Sequence, residues 1–178
     1  MLKIVKLTSL DSELRPEALK GIEEIFFLST SIKSFSSPEK KEAFFKKWCG
    51  DYLEYYPESF YLLYFENRLM GYLSGCDNSL DSLKNLNVPG HSTFVDLFKV
   101  FPAHLHINFH PNARGKGWGS QLVRHYLDDL RLKKIPGIHL VTSKDAQNVS
   151  FYDRLGFTQT EVRKFNENEL YFMGHILE

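Results

Sequence analysis

The chain has 178 residues, 43% of them hydrophobic and 25% charged, with 22 basic and 22 acidic side chains and therefore a formal net charge of zero. That length allows one sizeable core, and the charge balance argues against a surface built for nucleic acid or for an anionic membrane. Two cysteines, Cys49 and Cys76, are too few for a disulfide framework, no apolar run approaches a membrane span, and residues 1–7 alternate without the apolar centre of a signal peptide, so a cytoplasmic protein is expected.

In chain order, residues 4–8 read as a first strand. Residues 16–29 read as a helix, with Pro16 suited to the first turn and Leu19, Ile22, Ile25 and Phe26 on one side. Ser37-Pro38-Glu39 is a helix start that Phe44, Phe45, Trp48 and Tyr52 continue. Residues 60–66 and 69–75 read as two strands, with Asn67-Arg68 as the hairpin turn. Residues 76–101 form a long connection, with a helical turn expected near 82–86 and a helix over 93–101 that presents Phe94, Leu97, Phe98 and Phe101. Connections of that length are usually functional or mobile. A lid and a packed surface elaboration are the two readings, and the aromatic segments 52–56 and 94–101 either line a ligand pocket or fill a core.

The next strand, residues 103–109, is unusual. Alternation puts His104, His106, Asn108 and His110 on one face and Leu105, Ile107 and Phe109 on the other, unless a bulge intervenes. A His-x-His pair can hold a metal. Without a nearby carboxylate or cysteine cluster to complete the site, no metal is expected.

The run from Phe109 to Gly119 follows, Phe-His-Pro-Asn-Ala-Arg-Gly-Lys-Gly-Trp-Gly, and leads into an amphipathic helix over 120–134. Gly115, Gly117 and Gly119 tolerate positive φ and bring bare backbone close to a ligand. The first amides of a helix lack intrahelical partners and sit at the positive end of its dipole. Strand, glycine loop and helix start together make an anion cradle suited to a pyrophosphate, and Arg114 and Lys116 add positive charge. The run is neither a P-loop, which needs G-x-x-x-x-G-K-[ST], nor the dinucleotide fingerprint G-x-G-x-x-G. Beyond it, residues 137–143 read as a buried strand. Residues 144–157 hold a short helix in which Asp145 caps the start, Phe151 and Leu155 face the core, and Gly156 ends the turn. Strands over 157–164 and 170–177 close the chain.

The stretch Arg114 to Gly119, R-x-x-G-x-G, together with Phe151-Tyr152-Asp153-Arg154-Leu155-Gly156-Phe157, F-Y-x-x-x-G-F, resembles the signatures of the GNAT acetyltransferase superfamily. The chain departs from the second signature, with Asp145 where the family usually has Asn and Asn148 where it usually has Ala. The run Pro102-Ala103-His104-Leu105-His106-Ile107 is similar to a subgroup of bacterial acetyltransferases and to the acetyltransferase-like C-terminal domain of O-GlcNAc hydrolases, which usually carry Asp where this chain has Asn108.

The resemblance covers nearly all the chain. It implies one GNAT domain over 1–178 with an insertion at 76–101, an α/β (α+β) fold whose mixed, mostly antiparallel sheet of about seven strands is flanked by about four helices. It implies acetyl transfer from acetyl-CoA to a primary amine, by direct attack, with the cosubstrate wedged between the fourth strand and residues 138–143. Phe109, His110, Arg114, Gly115, Lys116, Gly117, Trp118, Gly119, Ser120, Ser143, Asp145, Asn148 and Phe151 would bind it. Tyr152 would protonate the leaving thiolate, and His106, then His104, would act as base. The acceptor is a small molecule or a peptide, and the protein is a monomer or a homodimer. The other reading is a non-catalytic acyl-CoA- or peptide-binding module on the same fold.

Overall fold

The computed structural model of the chain describes residues 1–32 and 34–178. Seven strands follow the order β1-β2-β3-β4-β5-β7-β6 in one sheet. The β4–β5 pair is parallel, and the pairs β1–β2, β2–β3, β5–β7 and β6–β7 are antiparallel. The sheet is therefore mixed and mostly antiparallel, as expected. The chain forms two compact units interleaved in sequence: Met1–Gly75 with His106–Tyr126, and Cys76–Leu105 with Leu127–Glu178.

In the first unit, β1 (Leu2–Lys6) pairs with β2 (Phe60–Phe65), and β2 with β3 (Arg68–Cys76). Phe60, Tyr61, Leu62 and Leu63 are all buried, so β2 is a continuous apolar run covered on both faces. The hairpin turn is Glu66-Asn67, with φ of 49° and 61°. It lies one residue earlier than expected, because the left-handed conformation both turn positions need is one that Asn tolerates. Helix α1 (Arg15–Ser29) buries Ala18, Ile22, Ile25 and Phe26. Leu19, expected on that face, is 42% exposed at the edge of the stripe, where Ala18 takes the inward place. The Ser37 hydroxyl accepts the Lys40 N–H at 3.4 Å and caps α2 (Pro38–Phe45). A π turn, Lys46–Gly50, joins α2 to α3 (Asp51–Tyr55).

In the second unit, α4 (Ser79–Ser82) starts on Asn78, whose Oδ1 accepts the Asp81 N–H at 3.2 Å. That side-chain cap fixes the turn three residues before the position expected from spacing alone. A 3₁₀ turn, His91–Leu97, stands where a longer helix over 93–101 was expected, because Phe94 leaves helical geometry at φ −112°. Phe94, Phe98 and Phe101 pack with Phe172 as a buried cluster. These aromatics fill a core, and the segment is packed. Arg163 holds the turn from outside: its guanidinium donates to the Thr93 carbonyl at 2.7 Å and grips the Asp96 carboxylate with two nitrogens. Strands β5 (Gly137–Thr142), β7 (Asn168–Ile176) and β6 (Gln159–Phe165) carry the rest, with α6 (Val149–Asp153) between β5 and β6. Strand β4 (Ala103–Phe109) and helix α5 (Trp118–Leu132) each run from one unit into the other. No helix among the described residues is long and apolar enough to cross a membrane.

Candidate functional site

The glycine loop lies in the first unit. Phe109 ends β4, and its ring lies against Gly71, where an added Cβ would stand 2.4 Å from two ring carbons. Only glycine on β3 permits that approach. The His110 N–H donates to the Met70 carbonyl at 2.9 Å, and the Ser29 hydroxyl at the end of α1 donates to the Phe109 carbonyl at 3.3 Å. The exit of β4 is thus fixed from two sides. His110 Nδ1 accepts the Asn112 N–H and opens a short 3₁₀ turn, Pro111–Ala113. Gly115 and Gly117 then take φ of 73° and 75°, with open space where a Cβ would be, so it is the backbone conformation and not crowding that calls for glycine. Gly119 is helical: α5 starts at Trp118, and the Gln121 N–H reaches back to the Gly117 carbonyl at 3.3 Å. The amides of Trp118, Gly119 and Ser120 therefore lead the helix without intrahelical acceptors. Trp118 packs on Phe65, and the Lys116 ammonium stands 4.9 Å from the Trp118 ring centre. Arg114, Gly115, Lys116 and Gly117 are exposed. The combination of paired left-handed glycines, leading amides and two cations fits a pyrophosphate.

The same unit holds His106. Its Nε2 lies 3.1 Å from the Tyr52 hydroxyl, and the two rings meet edge to face. Withdrawal from solvent pulls the imidazole down to about 4, so it is neutral at pH 7. One pleat further, the Asn108 side-chain amide donates to the Tyr72 hydroxyl at 2.8 Å. Burial pushes the Cys49 thiol up to about 12 and the Cys76 thiol up to about 11, leaving neither as a thiolate nucleophile.

In the second unit, β5 leads into the other signature. Asp145 was expected to cap the short helix. It lies instead in an exposed turn closed by Ala146 N–H to Ser143 carbonyl, and Asn148 occupies the N-cap of α6. The helix starts later than the spacing suggested, so the acidic side chain is out of reach of its first amides. Asn148 Oδ1 accepts the Thr142 hydroxyl at 3.2 Å. Phe151 is half-buried and Tyr152 only 4% exposed, the reverse of the expected pairing. The Tyr152 ring lies edge-on to Phe151 and to Phe157, and burial raises its phenol above the usual tyrosine range. Gly156 ends the turn at φ 94°, as expected, and His175 lies where its Cβ would be.

His104 has different company from His106. It is 3% exposed, and its Nδ1 lies 2.7 Å from the Ser79 hydroxyl. It stands beside His91 and His139, and one nitrogen from each of the three rings lies within 4.8 Å of the others. Sequence reasoning did not single out His91 or His139. The available signal was a histidine in the otherwise apolar run Gly137-Ile138-His139-Leu140-Val141, since a fully buried imidazole needs partners.

The sequence model of the acetyltransferase (GNAT) family matches residues 22–157. The chain is similar in structure to SsHAT, with a TM-score of 0.73 and 18% identity over 99% of this chain and 98% of that one. It is also similar to a Pyrococcus horikoshii OT3 protein, with a TM-score of 0.71 and 16% identity over 100% and 99%. A structure of yncA from Salmonella typhimurium with its cofactor acetyl-CoA matches at a TM-score of 0.58 and 17% identity, over 99% and 94%.

Proposed function

The chain belongs to the acetyltransferase (GNAT) family, and from that premise we propose that it transfers the acetyl group of acetyl-CoA to a primary amine by direct attack. The observation that carries this reading is the loop: two glycines held left-handed next to leading helix amides and two cations, a cradle with the charge and shape for a pyrophosphate. Acetyl-CoA supplies an activated thioester. The amides of 115–120 would hold its pyrophosphate, with Arg114 and Lys116 alongside. The Phe109 N–H would donate to the thioester oxygen as negative charge develops there. Ser143, Asn148 and Phe151 would line the cosubstrate from the second signature. Asp145 adds a negative charge there, which works against an anionic ligand.

The new N–C bond forms as the C–S bond breaks. A primary amine is mostly protonated at neutral pH, so the minority neutral form is the one that attacks. His106, held neutral, would accept the proton that becomes acidic as the N–C bond forms. Tyr152, held as a phenol by burial, would give its proton to the departing sulfur. His104, whose Nδ1 is engaged by the Ser79 hydroxyl, is given no part in the proton path. The acceptor is a small-molecule or peptide amine.

A non-catalytic binding module is the second reading. Two observations favour it: the Asn108 amide, where relatives in the subgroup carry a carboxylate, is engaged by Tyr72, and the Tyr152 phenol is nearly covered. Thiol release from acetyl-CoA, measured across a panel of polyamine, amino-sugar, amino-acid and peptide acceptors, separates the two. Tyr152→Phe should lower kcat about 100-fold or more while acetyl-CoA still binds. An unchanged kcat would remove Tyr152 as the acid. Tight acetyl-CoA binding without turnover on any amine would support the binding module.

A further inference from the structure

His91, His104 and His139 all belong to the second unit and come from three elements: the 3₁₀ turn, β4 and β5. Their residual exposures are 6%, 3% and 0%. Two of the rings are oriented by what holds their outer nitrogens. His139 Nδ1 lies 2.8 Å from the Phe101 carbonyl, which only accepts, so Nδ1 carries the proton and Nε2 keeps its lone pair. The Ser79 hydroxyl donates to the Pro102 carbonyl at 2.6 Å, so it accepts from His104 Nδ1, and His104 Nε2 likewise keeps its lone pair. Nδ1 bound to an oxygen with Nε2 left as a lone pair is the arrangement that orients histidine metal ligands. Phe98 and Phe172 stack on His139 with ring centres at 4.9 and 5.1 Å, which fixes its plane. His91 Nε2 faces His139 Nε2 at 3.3 Å. Two nitrogens bound to one tetrahedral zinc at 2.0–2.1 Å stand about 3.3 Å apart.

We propose that His91, His104 and His139 bind a divalent zinc-like cation that ties the 3₁₀ turn to β4 and β5. The donor set is all imidazole, which suits zinc, cobalt, nickel and copper over magnesium or calcium. Three imidazoles leave one position of a tetrahedral cation open, and a solvent-derived oxygen would fill it. The cation's role is structural: with Arg163 gripping the outer side of the same turn, it would close the inner side. None of its three ligands takes part in the proton transfers proposed above.

The test uses the full chain, stripped with a chelator and titrated with Zn2+ and with Co2+. One equivalent should bind per chain, cobalt should give the intense visible absorption of a tetrahedral site, and the thermal midpoint should rise several degrees at a hundredfold excess over Kd. His91→Ala should abolish that equivalent. Ser79→Ala, which leaves all three rings in place, should weaken binding about 10-fold or more. His125→Ala, at an exposed histidine, should change nothing. Wild-type titration needs no variant to fold, and circular dichroism checks the others. A folded wild-type protein that takes up no stoichiometric metal, or equal uptake by His91→Ala, would overturn the proposal and leave the three rings as a hydrogen-bonded core.

Discussion

Gly115 and Gly117 hold φ of 73° and 75° in open space, so substitution there acts through backbone strain of about 1–3 kcal/mol rather than through a clash. Gly117→Ala should weaken acetyl-CoA binding about 10-fold or more, because relief of the strain turns the following amides away from the ligand. Gly117→Asn, which tolerates the left-handed region better, should lose less. Isothermal titration of both variants checks the order, and equal losses would contradict the conformational account. His106 makes a pH prediction. Its folded value is about 4 against 6.5 for an ordinary histidine, so between those values the unfolded chain binds more protons. Stability from this group is complete above pH 6.5 and falls as pH drops towards 4, by roughly 2–3 kcal/mol. His106→Gln should remove that part of the slope when urea unfolding is compared at pH 4.5 and pH 7. An identical pH dependence in the variant would contradict the burial argument. The sequence located this histidine but not its environment, because alternation names a face of a strand and not what covers it. His104 and His106 are two residues apart, yet one meets Ser79 and the other Tyr52.

At the scale of elements, the parts with local chemistry were legible. The strand, glycine loop and α5 follow in the expected order, and Gly156 ends the α6 turn with the expected left-handed φ. What failed was set by distant or competing partners. The 3₁₀ turn His91–Leu97 was expected as a longer helix. Its shape depends on Phe94 packing against Phe172 and on Arg163, seventy residues from Thr93, donating to its carbonyl. No local pattern carries such contacts. Asp145 was misplaced as a cap because Asn148, three residues on, takes the N-cap of α6. The Arg163 clamp leads to a test. Arg163→Ala removes both the carbonyl contact and the paired grip on Asp96, so limited proteolysis should cut within residues 91–97 faster than in the wild type. Unchanged cleavage would mean that the Phe94–Phe172 core alone fixes the turn.

For the whole molecule, the seven-stranded sheet, with β4 and β5 parallel, matches the mixed sheet that the resemblance implied. The family match over residues 22–157 spans both signatures, Arg114 to Gly119 and Phe151 to Phe157. A chain with no net charge has little long-range field to gather an anionic ligand, so the acetyl-CoA recognition proposed above would rest on the local cradle and should respond only modestly to salt. The most direct test is thermal unfolding of the purified protein with and without acetyl-CoA, with NAD as the control. At a hundred times Kd the ligand adds about 2.7 kcal/mol, a rise of roughly 5–10 °C for a chain of this size. The account predicts that rise for acetyl-CoA and none for NAD. No shift at millimolar acetyl-CoA, or an equal shift with NAD, would contradict it.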